Sequence, residues 1–343
     1  MGSRRFAAAL VAAVLALAGG AVQVSAADGA TVPPHPSAAL HAFSAAQVRA
    51  AQSYWTPARR GAVKPLASAP IVPLTRQPAV PAGPAGHVAP VVTAGTGARV
   101  SPMSDGQWSG SPTSLPAKDV GVLYFTTPSG GGAWCTASVV VAGDRDLVLT
   151  AGHCVYDKNY VATNGSGWMG NYQFCPATNG GANQTPYGCW PGRGAVTNWS
   201  WLNNRDGSYD FGFVLLGTNS SGQHIADALG NQFGVEWNQP RGSTYMIFGY
   251  PGVAPYNGVN PAWCYGTAIN YAGSGYNPDM IGVACSNMNH GASGGPWLRQ
   301  YSFSSGWGYV DSVNSGGLAG DPHIYGSYFD TTFEDVYNYA QAL

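Results

Sequence analysis

An all-β fold closed by one C-terminal helix is predicted for residues 118–343, and three observations predict it. Short β-rich segments recur from Val120 onward, clusters of Gly, Asn, Pro and Ser separate them, and only residues 332–342 carry apolar side chains at helical spacing. Many short strands divided by turn signals favour a sandwich or a barrel. The strand candidates are residues 120–126, 136–142, 147–150, 196–201, 211–216, 244–250, 268–271, 280–285 and 307–313. In the closing segment TFEDVYNYAQA, Phe333, Val336, Tyr337 and Ala340 fall on one helical face, with acids in the first turn where the helix dipole favours them.

The upstream part has a different composition. Over all 343 residues the net charge is −1, but residues 1–117 hold 8 basic against 2 acidic residues (+6) and residues 118–343 hold 7 against 14 (−7). Of 25 prolines, 14 precede residue 118, whereas all six cysteines follow residue 134. Such unevenness argues against one continuous domain. The chain is too apolar and aromatic for a disordered protein, and it lacks the basic surplus that nucleic-acid binding requires.

Arg4 and Arg5 precede an apolar run over residues 6–18, and Val24-Ser25-Ala26 offers the small-x-small pattern of signal peptidase. This reads as a secretory signal peptide over residues 1–26. The run is shorter than the ~20 apolar residues a bilayer core needs, so no membrane association is expected after cleavage. Ser3-Arg4-Arg5 is also a partial twin-arginine signal, although general secretion suits six cysteines better. Residues 27–117 read as a Pro/Ala-rich linker or a propeptide, with 38–54 the one stretch expected to be helical. An even cysteine count in an exported chain implies three disulfides, and six cysteines permit 15 pairings.

Three motifs carry chemistry. Thr150-Ala-Gly-His-Cys154 places His153 where an apolar strand turns. Tyr209-Asp-Phe-Gly-Phe-Val-Leu-Leu216 opens an apolar strand with Asp210, whose carboxylate needs a partner there. Its competitor, Asp206, lies in the turn-like Asn204-Arg-Asp-Gly207 and is read as solvated. Gly291-Ala-Ser-Gly-Gly-Pro296 surrounds Ser293 with glycines, which permit a tight turn and close approach of a carbonyl. The N–H groups of Gly291 and Ser293 can then converge on an oxyanion.

In the order His153, Asp210, Ser293, these motifs resemble those of the chymotrypsin-like (trypsin-like) serine peptidases, over residues 120–343. The resemblance implies two antiparallel six-stranded β-barrels with a C-terminal helix, and a site in the cleft between the barrels. It implies Ser293 as nucleophile, His153 as general base and Asp210 as its orienting carboxylate, with Gly291 and Ser293 forming the oxyanion hole. It also implies Cys135–Cys154 as the staple of the His153 loop, Cys264–Cys285 before Ser293, and Cys175–Cys189 in the first barrel. No cofactor and no metal are called for. The implied partners are a protein or peptide substrate and the chain's own propeptide, on a secreted monomer.

Ala292 stands where trypsin-type enzymes carry an Asp, so activation through that buried ion pair is not expected. Arg99 and Lys118 are candidate processing points. Ile247-Phe-Gly-Tyr-Pro-Gly252 resembles the bacterial glutamyl-endopeptidase branch, but Asn314 occupies the place of that branch's specificity His. Asn287, His290, Ser312 and Asn314 are candidate substrate-pocket residues, and the preferred substrate residue stays open. An esterase using the same three residues, or a peptidase-like binding protein that has lost activity, stays open as an alternative.

Overall fold

The computed structural model describes residues 34–67, 83–93, 105–181, 184–270, 279–285, 288–317 and 320–343. Residues 1–26, Arg99 and Asn287 lie outside these. Six strands build the first half: β1 (Val120–Thr126), β2 (Gly132–Val139), β3 (Leu147–Thr150), β4 (Gly170–Pro176), β5 (Trp190–Asn198) and β6 (Gly212–Leu216). All neighbours are antiparallel in the order β1-β2-β3-β6-β5-β4, and the pairing of β4 with β1 closes a barrel. Leu123, Phe125, Val139, Val148, Phe174, Trp190 and Val214 are buried in one cluster within this half. Closure leaves few free edges, and interior side chains alternate with outward ones.

Eight strands form the second half: β7 (Gly234–Trp237), β8 (Thr244–Gly249), β9 (Ala262–Thr267), β10 (Ile269–Asn270), β11 (Met280–Ala284), β12 (Pro296–Arg299), β13 (Tyr309–Gly317) and β14 (His323–Ser327). Here the expectation of two closed six-stranded barrels is overturned. The sheet is open: an eight-strand path runs β10-β11-β14-β13-β12-β8-β9 and ends on the short upstream strand Gly106–Gln107, while β7 lies parallel to β13. Only Ala268 separates β9 from β10, and its N–H donates to the Ser243 carbonyl at 2.9 Å instead of extending a ladder. The free edge of β9 is taken by Gly106–Gln107. Among the described residues the ring stays unclosed.

The C-terminal helix spans Thr331–Ala340, with Asp330 accepting from the N–H groups of Thr332 and Phe333. It buries Phe333, Val336, Tyr337 and Ala340, the face its spacing implies. Phe333 stacks on Phe329 at 3.7 Å and meets Phe211 edge-on at 5.3 Å, so the helix is bound to the first barrel although its sequence follows the second half.

Two other expectations change. The strand expected over 196–201 stops at Asn198, whose side chain caps the helix Trp199–Asn204 by accepting from Trp201 N–H. The Asn cap outweighs the β-preference of the two tryptophans. Upstream, the helix expected over 38–54 divides into a strand, Ala38–Ala42, and a helix, Ala45–Tyr54. Ser44 and Gln47 form a capping box at the division, which starts the helix there. This upstream chain is built onto the barrel: Ala38–Ala42 pairs antiparallel with β5, and Trp55 is buried.

Candidate active site

The three motif residues come from three connections that meet between the halves. His153 sits in the single-turn helix Gly152–Cys154 that follows β3. Asp210 follows a second such turn, Gly207–Tyr209, and precedes β6. Because β3 and β6 are hydrogen-bonded neighbours, with Thr150 opposite Gly212, their adjacent ends bring the two side chains together. Ser293 lies on the loop between β11 and β12 in the second half.

His153 Nδ1 is 2.8 Å from Asp210 Oδ2, and the His153 backbone N–H donates to Asp210 Oδ1 at 2.7 Å. Ser315 Oγ donates to Asp210 Oδ2 at 2.5 Å. The fully buried carboxylate is therefore bonded on both oxygens, which is what makes its burial tolerable. With Nδ1 donating to Asp210, the imidazole presents Nε2 as a proton acceptor. That nitrogen and Ser293 Oγ are both buried, and neither has a hydrogen-bond partner among the described residues. Trp201 packs beside the ring at 6.2 Å between centroids, its own N–H donated to Tyr156 O. A side chain at Gly152 would strike both Trp201 and Asp210, so the motif's glycine is required by this packing.

The Ser293 loop is held from both sides. Thr136 N–H donates to Ser293 O at 2.8 Å, and Thr136 Oγ1 donates to Gly291 O while accepting from Tyr250 N–H, each at 2.9 Å. Gly291 and Gly294 adopt left-handed backbone at φ +92° and +80°, which glycine enters without penalty. A Cβ at Gly294 would lie 2.1 Å from Thr150 Oγ1. From the second half, Asn314 Nδ2 donates to Ala292 O at 3.0 Å, and Asn314 Oδ1 accepts from Trp297 Nε1 at 2.7 Å.

Three disulfides join Cys135–Cys154, Cys175–Cys189 and Cys264–Cys285. The first ties β2 to the His153 turn and leaves Cys154 Sγ 3.9 Å from Ser293 O. Among the pocket candidates, Asn314 is committed to its bonds with Trp297 and Ala292. Ser312 is buried on β13, with Gly326 so near that a side chain there would strike its hydroxyl. His290 is exposed, and its carbonyl accepts from Gly252 N–H at 2.7 Å. Asp206 is buried rather than solvated: its carboxylate accepts from Ser208 N–H at 3.0 Å, and burial pushes its pKa upward. Sequence reasoning missed Ser315 and Thr136, because a hydroxyl within a strand looks like any other strand residue.

Among the described residues, Cys135, His153 and Cys154 form the one cluster of potential metal-binding atoms. Two of the three are joined in a disulfide and offer no thiolate. The donor set does not fit a metal ion.

No family model matches the chain. A curated relative, the extracellular metalloprotease of Bacillus subtilis strain 168, is 30% identical over 107 residues; that alignment spans 31% of this chain and 31% of the relative's length. Among solved structures, the protease Anisep from Arthrobacter nicotinovorans is 34% identical with a TM-score of 0.59, matching 70% of this chain and 100% of that one. The thermostable serine protease AL20 from an extremophilic microorganism is 32% identical with a TM-score of 0.57, matching 66% of this chain and 98% of that one. A Glu endopeptidase shares the fold at 20% identity, with a TM-score of 0.53 over 70% of this chain and 99% of its own. Three disulfides and this kinship are those of a secreted protein. With relatives above 30% identity matched over nearly their whole length and a β architecture in two halves, the chain belongs to the chymotrypsin-like serine peptidases.

Proposed function

We propose that the protein is a secreted serine endopeptidase that hydrolyses peptide bonds through His153, Asp210 and Ser293. The carrying observation is the buried His153–Asp210 pair, whose second ring nitrogen, like the buried Ser293 hydroxyl, is left without a partner among the described residues. Unpartnered buried polar atoms are costly, and a reacting centre is where such a cost is retained.

In this reading His153 Nε2 takes the Ser293 proton as Oγ attacks the substrate carbonyl. The tetrahedral oxyanion is met by the N–H groups of Gly291 and Ser293. His153 returns the proton to the leaving amine, and an acyl-enzyme remains on Ser293. Water then attacks the ester, giving up a proton to His153, and the acid product leaves as Ser293 regains its own. Asp210, oriented by Ser315, holds the imidazole and stabilises its charged form. Residues 1–26 would act as export signal, 27–117 as propeptide and 118–343 as the peptidase, acting as a monomer. Within the family, Ile247–Gly252 resembles the glutamyl-endopeptidase branch, but Asn314 is committed to Ala292 and Trp297, so a preference for acidic residues is not carried over.

Ser293→Ala should fold and be exported yet lose peptide hydrolysis by about 10⁴-fold or more. A serine-directed phosphonate should modify Ser293 in the unaltered chain, as located by peptide mapping. Unchanged turnover in Ser293→Ala would sink the assignment. Turnover of esters without peptides would favour the esterase.

A further inference from the structure

We infer that residues 64–66 are a built-in occupant of the catalytic cleft, holding the unprocessed chain inactive; this rests on the peptidase reading above. The upstream chain reaches the cleft by a series of fitted contacts. Ala38–Ala42 adds a strand to β5, from Ala38 opposite Asn198 to Ala42 opposite Gly194. The following helix ends at Trp55, which is buried against the barrel and donates its ring N–H to Asn171 O. Arg60 Nη1 bonds Gln173 Oε1 at 2.9 Å, and Val63 fills the space over Gly132, where a Cβ would come within 2.4 Å of it.

Lys64–Pro65 then runs parallel to β2 beside Ala133 and Trp134. Leu66 N–H donates to Trp134 O at 2.9 Å, and the Leu66 carbonyl accepts the Gly291 N–H at 3.2 Å. Pro65 lies against Gly252 and Gly291; a Cβ at either glycine would come within 3.0 Å of its ring. One of the two oxyanion donors is thus spent on the chain itself, and His153 and Ser293 are only 4% and 2% exposed. The pose is not that of a substrate about to be cut. Leu66 O takes the Gly291 donor, but Ser293 Oγ forms no bond to it. Strand addition, an apolar anchor and a blocked donor together make a strap over the site, which removal of the upstream chain would release.

The test labels the full-length chain with a fluorescent serine-directed phosphonate and reads each species by mass on a denaturing gel. The full-length species should label at least 10-fold more slowly than processed protein. Pro65→Gly with Leu66→Gly should bring the full-length species close to the processed rate. Trp55→Ala, which loosens the anchor instead, should do the same if the double variant folds poorly. Equal labelling of full-length and processed wild type would overturn the inference, as would labelling that stays slow in all these variants. A processing cut mapped between Leu66 and Ala67 would also overturn it, because the segment would then be a substrate. Failure of every species to label at Ser293 would instead remove the peptidase reading itself.

Discussion

The two halves hold the site in different ways. The first is a closed barrel with Cys135–Cys154 and Cys175–Cys189, and it carries both His153 and Asp210 on the ends of adjacent strands. The second is an open sheet, and its Ser293 loop is bonded to Thr136 of the first half as well as to Asn314, itself held by Trp297, of its own. The His153–Asp210 pair therefore comes from one closed unit, with a single brace from the other half through Ser315. The Ser293 loop is held across the junction. Catalytic geometry should tolerate damage far from the junction better than loss of one bond across it, because misplacement of about 1 Å can cost roughly 100-fold in rate.

The largest effect that can test this contrast is within the first barrel. Asp210→Asn leaves the shape intact but presents the wrong hydrogen-bonding partner to His153, and kcat should fall by about 10⁴-fold while the thermal midpoint changes little. A loss under 10-fold, measured on a peptide substrate, would mean that the imidazole is oriented by something other than this pair.

A second test asks whether the closed barrel is uniformly stable. Asp119, immediately before β1, is fully buried, with neither carboxylate oxygen hydrogen-bonded among the described residues. Burial pushes its pKa up to about 8 against an ordinary value of 3.8, with Lys118 offsetting this in part. The folded state therefore keeps a proton that the unfolded chain releases. Stability should fall as pH rises from about 4 towards 8, opposite to the usual paired carboxylate. Asp119→Asn should abolish that slope and gain roughly 2–4 kcal/mol at pH 7–8. Urea unfolding of both chains at pH 5 and pH 8 measures it; parallel pH profiles would refute it.

The smallest expected effect sharpens the comparison most directly. Thr136→Val removes one hydroxyl that serves both Gly291 and Tyr250, at a cost of about 1–2 kcal/mol in stability. Because those bonds cross to the Ser293 loop, kcat should drop by about 10–100-fold as well. An equal stability loss with unchanged kcat would show that the loop keeps its own shape.

How much of this was legible varies by residue. The helix Thr331–Ala340 could be read because its buried face follows the helical period, and the Ser293 loop because glycines at φ +92° and +80° admit few substitutes. Strands such as Gly170–Pro176 and Ala262–Thr267 escaped because Gly, Asn and Cys weaken a period-2 pattern that packing then overrides. Asn314 and Ser315 lie just past the strand expected over 307–313, which in the structure runs on to Gly317, and adjacent strand residues face opposite ways. Which one reaches Asp210 and which one grips Ala292 depends on the register of β13.

What the sequence determined by itself was local or chemical: the β class, the closing helix, the change in composition near residue 117 and the residue types able to do acyl transfer. Periodicity, turn chemistry and side-chain type are properties of short stretches. The tertiary structure alone decided whether each half closes, that Thr136 and Ser315 brace the site, and that Leu66 reaches Gly291 across 225 positions. Such contacts arise from packing and register between distant segments, and no local pattern encodes them.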